Sequence, residues 1–142
     1  MKESERTPRW MERLEIYGRA LERLTDVIDL SRQHQLNDYE RDSLIKRFEF
    51  TFEMAWKLMM SYEKENGIGQ ILGSRDVVRH ATALSLIDNG EAWMDMIDAR
   101  NQTSHLYDED TVNDIVDDII HTYHPLFEEL QKQMKDIIGK GE

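Results

Sequence analysis

Apolar residues recur at steps of three and four along most of the chain, which is the pattern of amphipathic helices. Only two prolines and seven glycines interrupt the sequence, so long helices are favoured over many short strands. Three long helices are predicted over residues 10–35, 39–66 and 110–138. With shorter helices between the second and the third, they predict an all-α fold, an antiparallel up-and-down four-helix bundle with an extra short helix.

The shorter helices are predicted from local signals in the middle of the chain. Ser74 is a candidate N-cap for a short helix that ends at Asn89-Gly90, and a further helix is expected to begin near Glu91. In the last long helix, Pro125 is expected to cause a mild kink.

The second long helix carries more apolar surface than one buried face requires. Its first stripe consists of Leu44, Ile45, Phe48, Phe52, Ala55, Trp56 and Met59. An adjoining second stripe contains Phe50, Met54 and Leu58, which leaves only a narrow solvated strip. That strip consists of Lys46, Glu49, Glu53 and Lys57. We therefore predict a homodimer in which a second copy covers Phe50, Met54 and Leu58.

Length and composition predict a single helical domain over residues 1–142, with an ordered core at about 10–138. The absence of cysteine excludes disulfides and thiolate metal sites. No apolar run approaches the roughly 20 residues of a membrane span. The N-terminal residues also lack the apolar core of a signal peptide, so a cytoplasmic protein is expected.

The net charge of −11 is concentrated in one part of the sequence. Between Asp88 and Glu129 there are twelve acidic residues and one basic residue, Arg100, whereas the other 17 acidic and 17 basic residues cancel. A surface of this charge does not attract polyanions at long range. The segment is interpreted either as a solvated helix face or as a docking surface for a basic protein partner.

Three polar residues in the last helix have the spacing of metal ligands. Asp117, His121 and His124 lie four and three residues apart, an arrangement that is able to hold a metal ion. On a helical wheel, however, they lie opposite the apolar face. We therefore predict that they belong to a solvated face, and that the protein has no metal site and no cofactor.

A second polar group follows the helix that begins near Glu91. The side chains of Arg100, Asn101 and Ser104 are predicted to project to its buried side, where polar groups need partners or a ligand. The alternatives are a functional site and a capping network. Arg100 and His105 would point about 140° apart on a straight helix. A shared site therefore requires the helix to end before His105, or a second copy across a two-fold axis.

Two sequence segments carry a resemblance to a known family. RNQTSHLYDE (100–109) has the form R-x4-H-x-Y with Asn after Arg, and LIKRFEFTFEMAWKLM (44–59) precedes it. Over roughly residues 10–138 the chain resembles HEPN-domain proteins of the nucleotidyltransferase substrate-binding protein family. The resemblance implies a helical bundle that forms homodimers, with the motifs at the two-fold cleft. It also implies a minimal nucleotidyltransferase as partner, often in a toxin–antitoxin pair.

The same resemblance implies roles for four residues. HEPN toxins of this type cleave RNA without metal, so His105 would transfer the proton of the 2′-hydroxyl or of the leaving group. Arg100 would hold the scissile phosphate, and Asn101 would orient the phosphate or His105. Tyr107 matches the position at which the partner enzyme attaches AMP groups in some HEPN toxins, which silences them.

The function predicted from these residues is the toxin subunit that partners a minimal nucleotidyltransferase, with RNA as substrate. One alternative is a substrate-binding subunit of that enzyme without catalysis of its own. The others are an active metal-independent endoribonuclease, which overlaps with the toxin, and a purely structural helical dimer.

Overall fold

The computed structural model describes residues 7–106 and 108–141, and the regular structure within these ranges is all helical. The α-helices are α1 (Arg9–Gln33), α2 (Asp38–Glu65), α3 (Ser74–Ala83), α4 (Gly90–Gln102), α5 (Glu109–Asp118) and α6 (His124–Gly141). A 3₁₀ turn at Thr103–His105 follows α4, and a π-helical turn at Ile119–Tyr123 joins α5 to α6. The predicted all-α class is confirmed.

The helix ends follow from capping chemistry. Asn37 Oδ1 accepts from Glu40 N at 2.9 Å, and Glu40 Oε1 accepts from Asn37 N at 2.9 Å, so a reciprocal capping box starts α2. Gly67 follows α2 with φ +89°, the left-handed conformation that favours glycine at a helix end. The N-cap of α3 is Gly73 rather than Ser74, which is already helical.

The short helix α3 also ends earlier than the sequence predicted. It stops at Ala83, and Asn89 instead caps the start of α4 by accepting from Ala92 N at 3.1 Å. An Asn-Gly pair is a strong chain-reversal signal, but Asn is also a preferred N-cap. Here the second property determines its role.

The helices α1 and α2 pack side by side in opposite directions. The rings of Trp10 and Tyr62 meet edge to face at 5.3 Å near one end. Toward the other end, Arg47 Nη1 donates to the carbonyl oxygen of Arg23 at 2.6 Å. Because early residues of α1 meet late residues of α2, the pair is antiparallel.

Helix α5, the π-helical turn and helix α6 together form the α5–α6 arm, which closes the core against the α1–α2 pair. The buried Tyr17 hydroxyl of α1 donates to the Phe127 carbonyl at 2.7 Å. Phe48 of α2 stacks on Tyr123 at 5.7 Å, and Trp93 of α4 meets Phe127 edge to face at 5.8 Å. Aromatic side chains from α2, α4 and the α5–α6 arm therefore meet at one point of the core.

The second apolar stripe of α2 is divided between core and surface. Phe50 is 53% exposed, Met54 is partly buried, and Leu58 is fully buried. Leu58 therefore belongs to the core of the chain and has no surface left for a second copy, which corrects its predicted place in a dimer interface. Phe50 and Met54 remain accessible.

The regular α-helical geometry of the α5–α6 arm is interrupted immediately before Pro125. Proline has no N–H, and its ring clashes with the carbonyl four residues earlier, here that of His121. The π-helical turn at Ile119–Tyr123 relieves this conflict by adding one residue to a turn. One extra residue rotates the following side chains by about 100°. His124, predicted to be solvated, is consequently 3% exposed and turned inward.

None of the helices within the described ranges combines the length and apolar composition that crossing a membrane requires.

Candidate functional site around Arg100

The segment 100–109 runs from the last turn of α4 to the first residue of α5. Arg100 lies in that last turn, and the 3₁₀ turn that ends with His105 comes next. Asp108 then caps α5 by accepting from Thr111 N at 2.8 Å. Tyr107, the predicted AMP acceptor, lies outside the described residues.

Arg100 is held by a carboxylate from the second helix. Its Nη1 lies 3.2 Å from Glu49 Oε2 and 3.2 Å from Thr103 Oγ1. The Thr103 hydroxyl in turn lies 2.6 Å from the same Glu49 oxygen and 2.6 Å from the carbonyl oxygen of Arg100. Because a hydroxyl has one hydrogen, Thr103 donates to one of these two acceptors at a time. The three side chains form a closed triangle of polar contacts.

The triangle is partly shielded from water, which strengthens its electrostatic interactions. The side chains of Arg100 and Glu49 are 29% and 18% exposed, respectively. Arg100 Nε is buried without a partner among the described residues. Glu49 was predicted to lie on the solvated strip of α2, so its contact with Arg100 was not predicted from the sequence.

Asn101 and Ser104, which were predicted to project inward with Arg100, are exposed. The Ser104 hydroxyl donates to the Asn101 carbonyl at 3.1 Å, a local bond of the helix end. In the capping alternative, Arg100 was expected to hold Asp108, but the described contacts of Arg100 are with Glu49 and Thr103, whereas Asp108 caps α5. Only Arg100 of the inward group is half-buried.

His105 is exposed at the end of the 3₁₀ turn. The α-helical part of this segment ends at Gln102, before His105 is reached. The 3₁₀ turn nevertheless continues the helical rotation through His105, at about three residues per turn. Arg100 and His105 therefore still point in widely different directions, and a site that uses both calls for a second copy across a two-fold axis.

A surface depression of about 420 Å³ opens beside Arg100. Its lining includes three further cations, Arg23 from α1 with Lys46 and Arg47 from α2. The exposed ring of Phe50 lines it as well. Glu49 and Glu53 line it too, so four cations stand against two carboxylates and the lining is positive on balance. The acidic charge along the sequence around Arg100 therefore does not predict the sign of this surface.

The far end of the segment is fixed to the start of α2 by Arg41. Its Nη1 donates to Asn113 Oδ1 at 2.7 Å and lies 3.3 Å from Glu109 Oε2. Its Nη2 also pairs with Asp38. One guanidinium thus joins the first turn of α2 to the first turns of α5.

The two histidines of the α5–α6 arm have different surroundings. His121 is exposed, whereas His124 Nε2 lies 2.8 Å from Thr25 Oγ1 and Nδ1 lies 3.6 Å from Glu128 Oε1. Burial lowers the pKa of His124 below its ordinary value of 6.5, although nearby Glu128 raises it. Within the described ranges, no group of three or more His, Asp or Glu side chains is arranged to hold a metal ion.

A buried carboxyl group near the end of α2 was also not anticipated. Glu63 is fully buried, and neither carboxyl oxygen has a hydrogen-bond partner among the described residues. Burial, and to a lesser extent the charge of Asp76, raise the pKa of Glu63 to about 8. At neutral pH this group is therefore mostly protonated.

The family model described as "Nucleotidyltransferase substrate binding protein like" matches residues 12–136. The chain belongs to this family. The family predicted from segments 44–59 and 100–109 is thereby confirmed. The family match includes α2, the Glu49–Arg100–Thr103 triangle and both anchors of the segment 100–109.

Individual relatives agree with this family. The protein named "Probable ribonuclease HepT" from Haemophilus influenzae is 29% identical over 96 residues, which cover 63% of this chain and 66% of that protein. The match thus spans just under two thirds of the relative's length.

Solved structures show the same fold. A protein from Thermus thermophilus superposes with a TM-score of 0.74 at 28% identity, covering 82% of this chain and 97% of that one. A chain of a MntA–HpeT toxin–antitoxin mutant structure has a TM-score of 0.74 at 19% identity, covering 89% of this chain and 97% of its own.

Proposed function

We propose that this chain is the HEPN partner subunit of a minimal nucleotidyltransferase, and that it acts as the toxin of a toxin–antitoxin pair by cleaving RNA. Family membership supports the nucleotidyltransferase partner. The name of the Haemophilus influenzae relative supports ribonuclease activity. The observation that carries the proposal is the placement of Arg100 in a depression that four cations and two carboxylates line, because this net positive charge attracts an RNA phosphate.

The proposed chemistry uses the 2′-hydroxyl of RNA as nucleophile and needs no metal. The 2′-oxygen attacks the adjacent phosphorus, the bond to the 5′-oxygen breaks, and the products are a cyclic phosphate and a 5′-hydroxyl. His105 transfers one of the two protons involved, because an imidazole ring is able both to accept and to donate a proton. Arg100 binds the phosphate and stabilises its developing charge, and Asn101 orients the phosphate or His105.

The proposed active form is a homodimer of antiparallel four-helix bundles. Phe50 is exposed, Met54 is on the same stripe one turn away, and Phe50 lines the same depression as Arg100. A second copy that covers Phe50 would therefore bring the two segments 100–109 toward one cleft. Large apolar side chains at a two-fold contact bury surface twice for one sequence position.

The activity is tested with single-stranded RNA and the purified protein in the presence of a chelator. The wild type should cleave the RNA, and His105→Ala should abolish cleavage while the melting temperature stays close to that of the wild type. His121→Ala is the matched control, because His121 is also an exposed histidine and is not part of the segment 100–109. Intact RNA with the wild type, or unchanged cleavage by His105→Ala, would contradict the proposal.

Tyr107 is proposed as the residue that the partner enzyme modifies. Its phenol oxygen would attack the α-phosphorus of ATP and release pyrophosphate, leaving a bulky anion two residues from His105. Incubation with the partner enzyme and ATP should add the mass of one AMP group to the peptide that contains Tyr107. Tyr107→Phe should remain unlabelled, and modification at another residue would refute this assignment.

A further inference from the structure

The basic residues of the depression come from helices that are distant from Arg100 in sequence. Arg23 and Lys46 are exposed, and Arg47 is half-buried. Arg47 donates to a backbone carbonyl, which orients its guanidinium without neutralising it. Within the described part of the chain, neither Arg23 nor Arg47 forms an ion pair with a carboxylate. Their positive charge is therefore available to a ligand.

Glu49 separates these cations from Arg100. Its Oε2 lies 3.2 Å from Arg100 Nη1, and its Oε1 lies 3.8 Å from Lys46 Nζ. The carboxylate thus lies between the two cations, with one oxygen toward each, so Lys46 and Arg100 are kept from closing on the same phosphate. A phosphate at each cation, rather than one shared phosphate, avoids placing an anion against Glu49.

The size of the depression is consistent with more than one phosphate. Its volume of about 420 Å³ falls within the range of roughly 300–1,000 Å³ of pockets that hold whole small-molecule ligands. Glu53 lines the depression as well, so its four cations face two carboxylates and leave a net positive charge for phosphates.

We propose that Arg23, Lys46 and Arg47 form a second phosphate subsite, which binds the phosphates of the RNA strand next to the one held by Arg100. This inference rests on the proposed function and specifies the path of the substrate, from the end of α4 across α2 to α1. A strand with phosphates on both sides of Glu49 binds more tightly than one that reaches only Arg100.

The test measures how the affinity for a single-stranded RNA oligonucleotide depends on salt. Binding is measured in the His105→Ala background, so that the RNA stays intact. Each phosphate contact contributes about 0.7 to the slope of log K against log salt for single strands. Arg23→Gln combined with Lys46→Gln removes two such contacts in each chain, so it should reduce the slope by about 1.4 and weaken binding at low salt.

Two matched variants isolate position from charge. Lys64→Gln combined with Arg79→Gln removes the same charge from exposed residues of α2 and α3 and should leave the slope unchanged. Arg23→Lys combined with Lys46→Arg keeps both charges and should restore it. Equal loss of slope in the control, or no loss in the Arg23–Lys46 variant, overturns the subsite.

The outcomes also distinguish the subsite from the proposed function. If the wild type cleaves RNA while the Arg23–Lys46 variant keeps the full salt slope, the subsite is wrong and the proposed function stands. If the wild type with His105 neither binds nor cleaves RNA, both are wrong. If the variant instead loses only the nucleotidyltransferase partner or the second copy, the depression is a protein-docking surface and the subsite is overturned.

Discussion

His124 Nε2 lies 2.8 Å from Thr25 Oγ1, which joins the α5–α6 arm to α1 inside the protein. The Thr25 hydroxyl also lies 2.8 Å from the Leu21 carbonyl and donates to it. Its single hydrogen is used there, so His124 must donate from Nε2 to the threonine oxygen. The neutral imidazole in the folded state therefore carries its proton on Nε2.

Acid should therefore destabilise the protein through His124. Burial, aided by Arg32, lowers the folded-state pKa of His124 below 6.5, whereas Glu128 and Asp29 act in the opposite direction more weakly. The unfolded chain binds the proton first, so this group removes stability as pH falls below about 6.5 and stops doing so below the folded-state pKa. Urea unfolding between pH 7.5 and 5 should show less loss of stability in His124→Gln than in the wild type. His121→Gln, which changes an exposed histidine, should behave like the wild type.

Glu63 should have the opposite pH dependence. Its pKa of about 8 in the folded state lies above the ordinary 4.5, so the folded state holds the proton more tightly. The stabilising contribution of the protonated group is complete below about pH 4.5 and is lost as pH rises through 8. Glu63→Gln should therefore be more stable than the wild type at pH 8.5, by a few kcal/mol at most, and should gain little at pH 5. Glu65→Gln, an exposed neighbour, should show no such gain. Equal stability of Glu63→Gln and the wild type at pH 8.5 would contradict the claim that burial raises the pKa of Glu63.

Removal of the Glu49 carboxylate should affect both stability and the site. Glu49→Ala leaves Arg100 Nη1 and the Thr103 hydroxyl without their shared acceptor, at a cost of about 1–2 kcal/mol. A double-mutant cycle with Thr103→Val should be non-additive, because the two residues belong to one network. Glu53→Ala is the matched control, since it lines the same depression but pairs with Trp56 at 3.2 Å. Additive effects in the cycle would show that the triangle does not act as a unit.

One charge introduced at the proposed dimer interface should dissociate the dimer and so halve the molecular mass measured in solution. Phe50→Glu should convert the protein to a monomer at micromolar concentration in light scattering, because a buried carboxylate opposes association. Tyr39→Glu is the control, as Tyr39 is 85% exposed at the start of α2. A dimer that survives Phe50→Glu, or a monomeric wild type, would exclude the Phe50 interface.

Much of the fold follows from the sequence because helix boundaries are encoded locally. Asn37 and Gly67 mark the limits of α2 through side-chain capping and a left-handed φ, both of which depend on residue type alone. The position of His124 does not follow, because a helical wheel assumes a constant angle per residue. The π-helical turn before Pro125 breaks that assumption, and every position after it is rotated.

The site was predicted only in part, for a different physical reason. Arg100 was found because an arginine on the buried side of a helix is unusual and needs a partner. Its partner Glu49 was not found, since a glutamate on α2 is ordinarily solvated. Arg23 and Lys46 reach the site only through the antiparallel packing of α1 and α2, and no local pattern reports which surface they share with Arg100.

The helix α2 sets the span of the segment 100–109. Glu49 holds Thr103 at one end of that segment, and Arg41 holds Glu109 and Asn113 at the other. Glu49 and Arg41 are eight residues apart on α2, a separation of about 12 Å along its axis. The segment between Thr103 and Glu109 therefore has to cover a distance that α2 fixes. Insertions or deletions between residues 104 and 108 would change the path of this segment and the direction of His105, while Thr103 and Glu109 stay in place.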